Sequence, residues 1–269
     1  MDPILVTGGT GTAGRLVVAR LREAGRDVRV LTRSARPRAD GVTYVTGDLT
    51  TGDGVAAALD GVGSVINCAG ANGIHEQVAR TLARSAAAAG VRHLVHLSVV
   101  GAERVRVRSR FDRQSFGYFD EMRHGELAVE GSGAAWTTLR ATQFHDLIAT
   151  AAGFLVKSPV VPSLTRMRFQ PVEADDVAAR LVALVDGEPH RGYVEIGGPE
   201  VLPMKELLRQ YLDARGLRRV LLPVRLPGAA AASIRDGANL TPDHADGTRT
   251  WADFLTGGSL AARAAAARG

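Results

Sequence analysis

The residues with the clearest chemical capacity are Thr7-Gly8-Gly9-Thr10-Gly11-Thr12-Ala13-Gly14. They follow an apolar run, Ile4-Leu5-Val6-Thr7, that suits a buried parallel strand. They open a segment, Ala13 to Ala24, in which Ala13, Val17, Leu21 and Ala24 recur at helical spacing. A strand–turn–helix with glycines so placed can hold a diphosphate. Gly8 permits the tight turn, Gly11 lets the backbone approach an anion, and Gly14 lets the helix pack close on the strand. The helix start adds free N–H groups and the positive end of its dipole. Thr7, Gly8, Thr10, Gly11, Thr12, Ala13 and Gly14 are the expected diphosphate-binding set.

A second chemical choice sits at the end of the next strand, Asp27 to Thr32. An acidic residue there bonds a ribose 2′-hydroxyl, whereas an arginine receives a 2′-phosphate with its planar fork. The chain reads Thr32-Arg33-Ser34, with Arg36 and Arg38 close behind and no carboxylate before Asp40. Arg33 is therefore the expected 2′-phosphate contact, and NADP(H) is favoured over NAD(H).

The elements that must position these groups alternate. After Gly25, suited to a helix C-cap, come strands at Val42–Thr46, Ser64–Cys68, Arg92–Ser98 and Trp136–Arg140. Helices are expected at Val55–Leu59, Ile74–Ala89 and Tyr118–Glu130. Such alternation predicts an α/β fold, a doubly wound parallel (Rossmann) sheet with a smaller C-terminal lobe that covers the substrate. Residues 1–150 are assigned to the dinucleotide-binding region and 151–269 to the lobe and tail, as one compact unit. The second half offers a helix at Val172–Val185, a strand at Tyr193–Ile196, a helix at Met204–Ala214 and a strand at Val220–Val224. Residues 257–269 read as a helical or frayed tail.

Composition narrows the function classes. The chain has 269 residues, 45% hydrophobic and 23% charged, enough for a sizeable core. The single cysteine, Cys68, excludes an intrachain disulfide framework and a multi-cysteine metal site. No apolar stretch is long enough for a membrane span and no secretory signal is legible, so a cytoplasmic protein is expected. All but two of the 33 basic residues are arginine, the lysines being Lys157 and Lys205, a skew that matches a GC-rich bacterial genome. The net charge of +5 is spread along the chain and aromatics are only 5%, so nucleic-acid binding is not expected. The expected partner is a small molecule, and nothing sets an oligomeric state. His93 and His96 fall on opposite faces of one strand, which argues against a metal site. His75, His190 and His244 are isolated in the sequence.

The spacing Thr7-Gly8-x-x-Gly11-x-x-Gly14 resembles the short-chain dehydrogenase/reductase superfamily. More narrowly, the chain is similar to its atypical NmrA-like, NAD(P)H-binding branch. Gly47-Asp48-Leu49, Leu97–Gly101, Trp136–His145, and Gln170-Pro171-Val172 leading into Asp175-Asp176-Val177-Ala178 support the likeness. The resemblance implies that Asp48 and Leu49 flank the adenine and that Cys68, Ala69 and Gly70 line the nucleotide cleft. Cys68 reads as a packed side chain rather than a nucleophile.

A typical member reduces a carbonyl with a tyrosine acid, a lysine four residues later and a serine. Ser98 matches the serine region and Tyr118 is the best tyrosine, but Met122 stands in the lysine position. Gln143 and His145, just past a strand end, are further candidates, and His145 reads either as an acid or base or as a structural group. The expected function is an NAD(P)H-dependent oxidoreductase acting on a small carbonyl, quinone or conjugated substrate. The proton would come from Tyr118, His145 or water. A non-redox isomerase or cyclase and an NAD(P)-sensing regulatory protein are the alternatives.

Overall fold

The computed structural model describes residues 2–37, 41–70 and 73–257. Arg38, Asp40 and the tail 258–269 lie outside the described residues.

The element order is β1 (Ile4–Thr7), α1 (Thr12–Glu23), β2 (Val28–Thr32), β3 (Val42–Thr46), α2 (Val55–Leu59), β4 (Ser64–Asn67), α3 (His75–Ala88), β5 (His93–Val99), α4 (Arg110–Glu130) and β6 (Trp136–Ala141). There follow α5 (His145–Leu155), β7 (Val160–Leu164), β8 (Arg168–Phe169), α6 (Ala174–Asp186), β9 (Tyr193–Ile196), β10 (Leu202–Pro203), α7 (Met204–Ala214), β11 (Val220–Val224), α8 (Ala229–Arg235) and α9 (Trp251–Thr256). A seven-stranded sheet runs in the order β3-β2-β1-β4-β5-β6-β9. Its pairs β2/β3, β1/β2, β1/β4 and β4/β5 are parallel, with Ile4 opposite both Val28 and Ser64. The strand order reverses between β1 and β4, and in open α/β sheets a ligand crevice forms beyond the strand ends at that point. This is the doubly wound Rossmann arrangement that the alternation predicts.

Packing groups the chain into two compact units. One comprises Met1–Val99, Tyr118–Arg140 and Asp175–Val194; the other comprises Val100–Gly117, Ala141–Ala174 and Glu195–Gly269. The chain therefore passes between them repeatedly, not once near residue 150.

In the first unit both faces of β1 are buried, as a central parallel strand requires. Leu5 joins a core with Leu31, Val65, Leu82, Leu94 and Trp136, while Ile4 and Val6 are buried outside that cluster. The apolar stripe of α3, Val78, Ala79, Leu82, Ala83 and Ala86, is buried. In the second unit β11 pairs with β7 in parallel and β10 with β8 antiparallel. Trp251, Phe254, Leu207, Leu208 and Val161 are among the residues of its core.

One difference from the sequence expectation has a local cause. Helix α4 begins at Arg110, not Tyr118, because Ser109 and Asp112 form a reciprocal cap. Ser109 Oγ accepts from the Asp112 N–H at 3.0 Å, and Asp112 Oδ2 accepts from the Ser109 N–H at 3.0 Å. Helix α5 carries Gly153, an unfavourable helix residue. A Cβ there would lie 3.0 Å from the Tyr211 hydroxyl, so the glycine admits α7 close to α5.

Candidate nucleotide and reduction site

The crevice beyond β1 and β4 is a cavity of about 410 Å³ in the first unit. The glycine turn forms one wall. Gly8 adopts φ +66°, and a Cβ on it would lie 2.5 Å from the Cys68 carbonyl oxygen. Gly14 packs against the turn itself. A Cβ there would meet the Gly8 carbonyl oxygen at 2.1 Å. Its constraint is therefore the loop rather than the strand, which refines the sequence expectation. At Gly11 the nearest neighbour of a Cβ is that same oxygen, at 3.3 Å, and Gly11 lines the open cavity. The Gly11 N–H closes the turn onto the Gly8 carbonyl at 2.9 Å. Helix α1 then starts with no side-chain cap and no acidic residue in its first turn. That terminus suits an anion, since the dipole and the first N–H groups are left for a ligand.

Of the expected cofactor residues, Thr7, Gly8, Thr10, Gly11, Arg33, Asp48, Leu49, Cys68, Ala69 and Gly70 line this cavity. Thr12, Ala13 and Gly14 form the first turn of α1 behind it, with Ala13 and Gly14 buried. The Thr7 hydroxyl is not turned to a ligand. It is buried and donates to Asn67 Oδ1 at 2.6 Å, which also accepts from the Ala69 N–H at 3.1 Å. Asn67 Nδ2 in turn meets His96 Nδ1 at 2.9 Å. Burial pushes His96 down to about 4, so its ring is neutral and Nδ1 accepts. This network pins the ends of β1 and β4, and the sequence reading missed Asn67.

Beyond the end of β2, Arg33 and Arg36 line the same cavity. The Thr32 hydroxyl donates to the Ser34 carbonyl, folding the chain around Arg33. Asp48 Oδ1 accepts from the Thr50 N–H and hydroxyl, both at 2.7 Å. These bonds, with a smaller contribution from Arg33, hold its carboxyl below the usual range. Desolvation pushes the Cys68 thiol up to about 12, which removes it as a nucleophile at neutral pH.

The catalytic candidates separate. Ser98 is buried and donates to Glu126 Oε1 at 2.7 Å. Arg140 grips the same carboxylate with two bonds of 2.8 Å, and Arg123 adds a third at 3.0 Å. Burial pushes the Glu126 carboxyl up, but Arg140, Ser98 and Arg123 outweigh it and hold it low. The Ser98 hydroxyl is engaged in this buried ion-pair cluster rather than turned to the cavity. His145 is 0% exposed, its ring stacked on Phe254 at 4.9 Å and tilted against Trp251 at 5.8 Å. The enclosed ring has Nδ1 3.7 Å from Glu173 Oε2, and neither of its nitrogens makes a hydrogen bond among the described residues, so the structural hydrogen bond expected as the alternative to acid–base chemistry is not seen. Gln143 lines a different, apolar cavity in the second unit.

Tyr118 remains. Its residue is 41% exposed, and its ring meets the edge of His75 with centroids 5.5 Å apart. The His75 ring sits against Gly70 at the cavity wall, where a Cβ would lie 2.1 Å from Nδ1. Glu121 Oε2 accepts from the Gly73 N–H at 2.7 Å in the same region. His75, isolated in the sequence, is thus the neighbour that the linear reading missed. Desolvation, then Glu121, pushes the Tyr118 phenol up to about 12. Desolvation lowers His75, opposed by Glu121. Met122 is buried, Arg123 is engaged by Glu126 and Tyr193, and His124 lies 3.9 Å from Glu76. Among the described residues no group of three or more His, Cys, Asp or Glu is placed to hold a metal, and no helix is long and apolar enough to cross a membrane.

Comparison with known proteins bears on the family and the fold. The NAD(P)H-binding family model matches residues 8–188. A (4-alkanoyl-5-oxo-2,5-dihydrofuran-3-yl)methyl phosphate reductase of Streptomyces griseus is 36% identical over 77% of this chain and 72% of its own. An NAD(P)H azoreductase of Xenophilus azovorans is 29% identical over 79% of this chain and 74% of its own. Among solved structures, an NADPH-dependent quinone oxidoreductase of Escherichia coli, complexed with NADPH, superposes with a TM-score of 0.78. It covers 94% of this chain and 99% of its own at 18% identity. A nucleoside-diphosphate-sugar epimerase of Staphylococcus aureus gives 0.75, over 95% and 99%, at 17% identity. These two likenesses establish the fold. With its glycine turn, its reversal between β1 and β4 and the matched model, the chain belongs to the NAD(P)H-binding family.

Proposed function

We propose that the protein is an NADPH-dependent reductase of a small conjugated carbonyl compound. The observation that carries this reading is the sharing of one cavity by the glycine turn and by Arg33 and Arg36. A diphosphate fits the uncapped start of α1, and a 2′-phosphate fits the two guanidinium groups. When bound, the nicotinamide supplies hydride. The chain's own residues hold it and stabilise the charge that develops on the substrate.

Tyr118 is the proposed donor to the substrate oxygen. It has no lysine four residues on, and its phenol is held protonated. Such a donor suits an enolate oxygen, whose conjugate acid is close to a phenol in strength. A simple ketone would build the far more basic alkoxide. The name of the Streptomyces griseus relative, an oxo-dihydrofuran bearing an alkanoyl group, supports the conjugated class. His75 is a proposed positioning residue, holding the Tyr118 ring beside Gly70.

The test is calorimetric titration with NADPH and NADH, followed by nicotinamide absorbance over a panel of enones, quinones and ketones. NADPH is expected to bind about tenfold or more tightly than NADH, with the preference lost in Arg33→Ala. Equal binding by the unaltered protein overturns the role of Arg33. Binding without turnover on any substrate overturns the reductase reading in favour of a sensor. Substrate conversion without an absorbance change overturns it in favour of a non-redox enzyme.

A further inference from the structure

Helix α3 begins at His75 with no side-chain cap at its start. Its entry is held from another helix. Glu121 of α4 accepts from the Gly73 N–H through Oε2 at 2.7 Å, two residues before α3 begins. A bond of that length to a carboxylate belongs to the stronger class. A negative charge near a helix start is also favourable.

Three links close into a ring. Glu121 lies three residues after Tyr118, so the two share a face of α4. Tyr118 meets the His75 ring in the T-shaped contact. His75 follows Gly73 by two residues, and its ring lies against Gly70 on the cavity wall. The position four residues after Tyr118 holds the buried Met122, so the nearest charge on that face is an acid.

The carboxylate favours the protonated form of both rings. It opposes the fall that burial causes in His75 and adds to the rise of the Tyr118 phenol. Of the neighbouring groups, His96 is neutral, held down at about 4, and Glu76 pairs with Arg80 and lies near His124.

We propose that Glu121 is a positioning residue for the proton donor. By gripping Gly73 it fixes the start of α3, and with it the His75 ring, against Tyr118. The proposal rests on the reading of Tyr118 as the donor in an NADPH-dependent reductase.

Glu121→Gln and Glu121→Ala test it, in the full chain with NADPH and an enone that the unaltered protein reduces. The glutamine keeps an oxygen able to accept from Gly73 but loses the charge, and the alanine loses both. Glu121→Ala is expected to lower kcat about tenfold or more, with KM for NADPH within about threefold, the effect of a small misplacement of a reacting group. Glu121→Gln is expected to recover most of that loss. The Gly73 amide exchanges with solvent faster in the alanine variant and near its original rate in the glutamine variant. His75, followed by proton NMR, titrates lower in both, because both remove the negative charge. A full kcat in Glu121→Ala, an equal loss in the two variants, or an unmoved His75 titration overturns the proposal. An impaired Tyr118→Phe beside an unimpaired Glu121→Ala overturns the role of Glu121 alone. A full kcat in Tyr118→Phe overturns the donor reading and this role together. If the unaltered protein reduces no substrate, the reductase reading falls and takes this role with it.

Discussion

The rings of His75 and Tyr118 meet in a T-shaped contact with centroids 5.5 Å apart and an interplanar angle of 80°, although the two residues are distant in sequence. His75 begins α3, and Tyr118 lies within α4. The His75 ring lies against Gly70, so the pair stands at the wall of the cavity.

Tyr118→Phe should lower kcat about a hundredfold or more, the ordinary worth of a positioned acid, with the NADPH dissociation constant within about twofold. The phenol is pushed up to about 12, so it keeps its proton through the neutral and mildly basic range. A pH–rate profile should show no loss of activity from this group below about pH 10. An unaltered kcat in the variant would remove Tyr118 from the mechanism.

The glycine turn makes two separable demands. Gly14→Ala drives a Cβ into a backbone oxygen that cannot swing away, and should cost about 1–3 kcal/mol of stability without any ligand. Gly11→Ala meets that oxygen only at 3.3 Å. It should leave the ligand-free melting temperature within a few degrees yet weaken NADPH binding about tenfold or more, because the methyl group enters the cavity. Thermal melts with and without NADPH distinguish the two.

Ser98 donates to the buried Glu126 carboxylate at 2.7 Å. Ser98→Ala should lower stability by about 1.5–3 kcal/mol, the worth of a hydrogen bond to a charged group, with kcat within about twofold. Glu126→Ala should be more severe, about 3–5 kcal/mol, since it strands the buried Arg140 guanidinium. Denaturant unfolding and steady-state turnover of both variants check this. A large loss of kcat at full stability in Ser98→Ala would restore the catalytic role.

Asp112 links acid stability to the cap of α4. The Ser109 N–H, the Ser109 hydroxyl, and the Ala230 and Arg108 N–H groups hold its carboxyl at about 2, against a burial effect that raises it. The unfolded carboxyl titrates near 3.9. Its stabilisation is therefore complete above about pH 4 and is lost as pH falls from about 4 to 2. Asp112→Asn should be less stable than the natural chain at pH 7, with the difference shrinking across that acid window. A pH series of denaturant midpoints gives the comparison.

Sequence order alone determined the sheet, the turn and most of the nucleotide crevice. Strands, helices and glycine caps are periodic or nearest-neighbour features, and the crevice is built by strand ends that the alternation already orders. Thus Gly8 and Arg33 were legible as cavity residues from their place at strand ends, and the family resemblance added Asp48 and Gly70. The tertiary structure decided where side chains face once distant segments meet. Ser98 and His145 share the polar, strand-end character of catalytic groups, yet Glu126 claims one and the Trp251–Phe254 stack encloses the other. The early start of α4 was written in Ser109 and Asp112, but a two-residue cap is a weak signal without an apolar period behind it. His75 became a candidate only when α3 and α4 packed together. Burial and pairing across tens of residues set those outcomes, and linear spacing does not encode them.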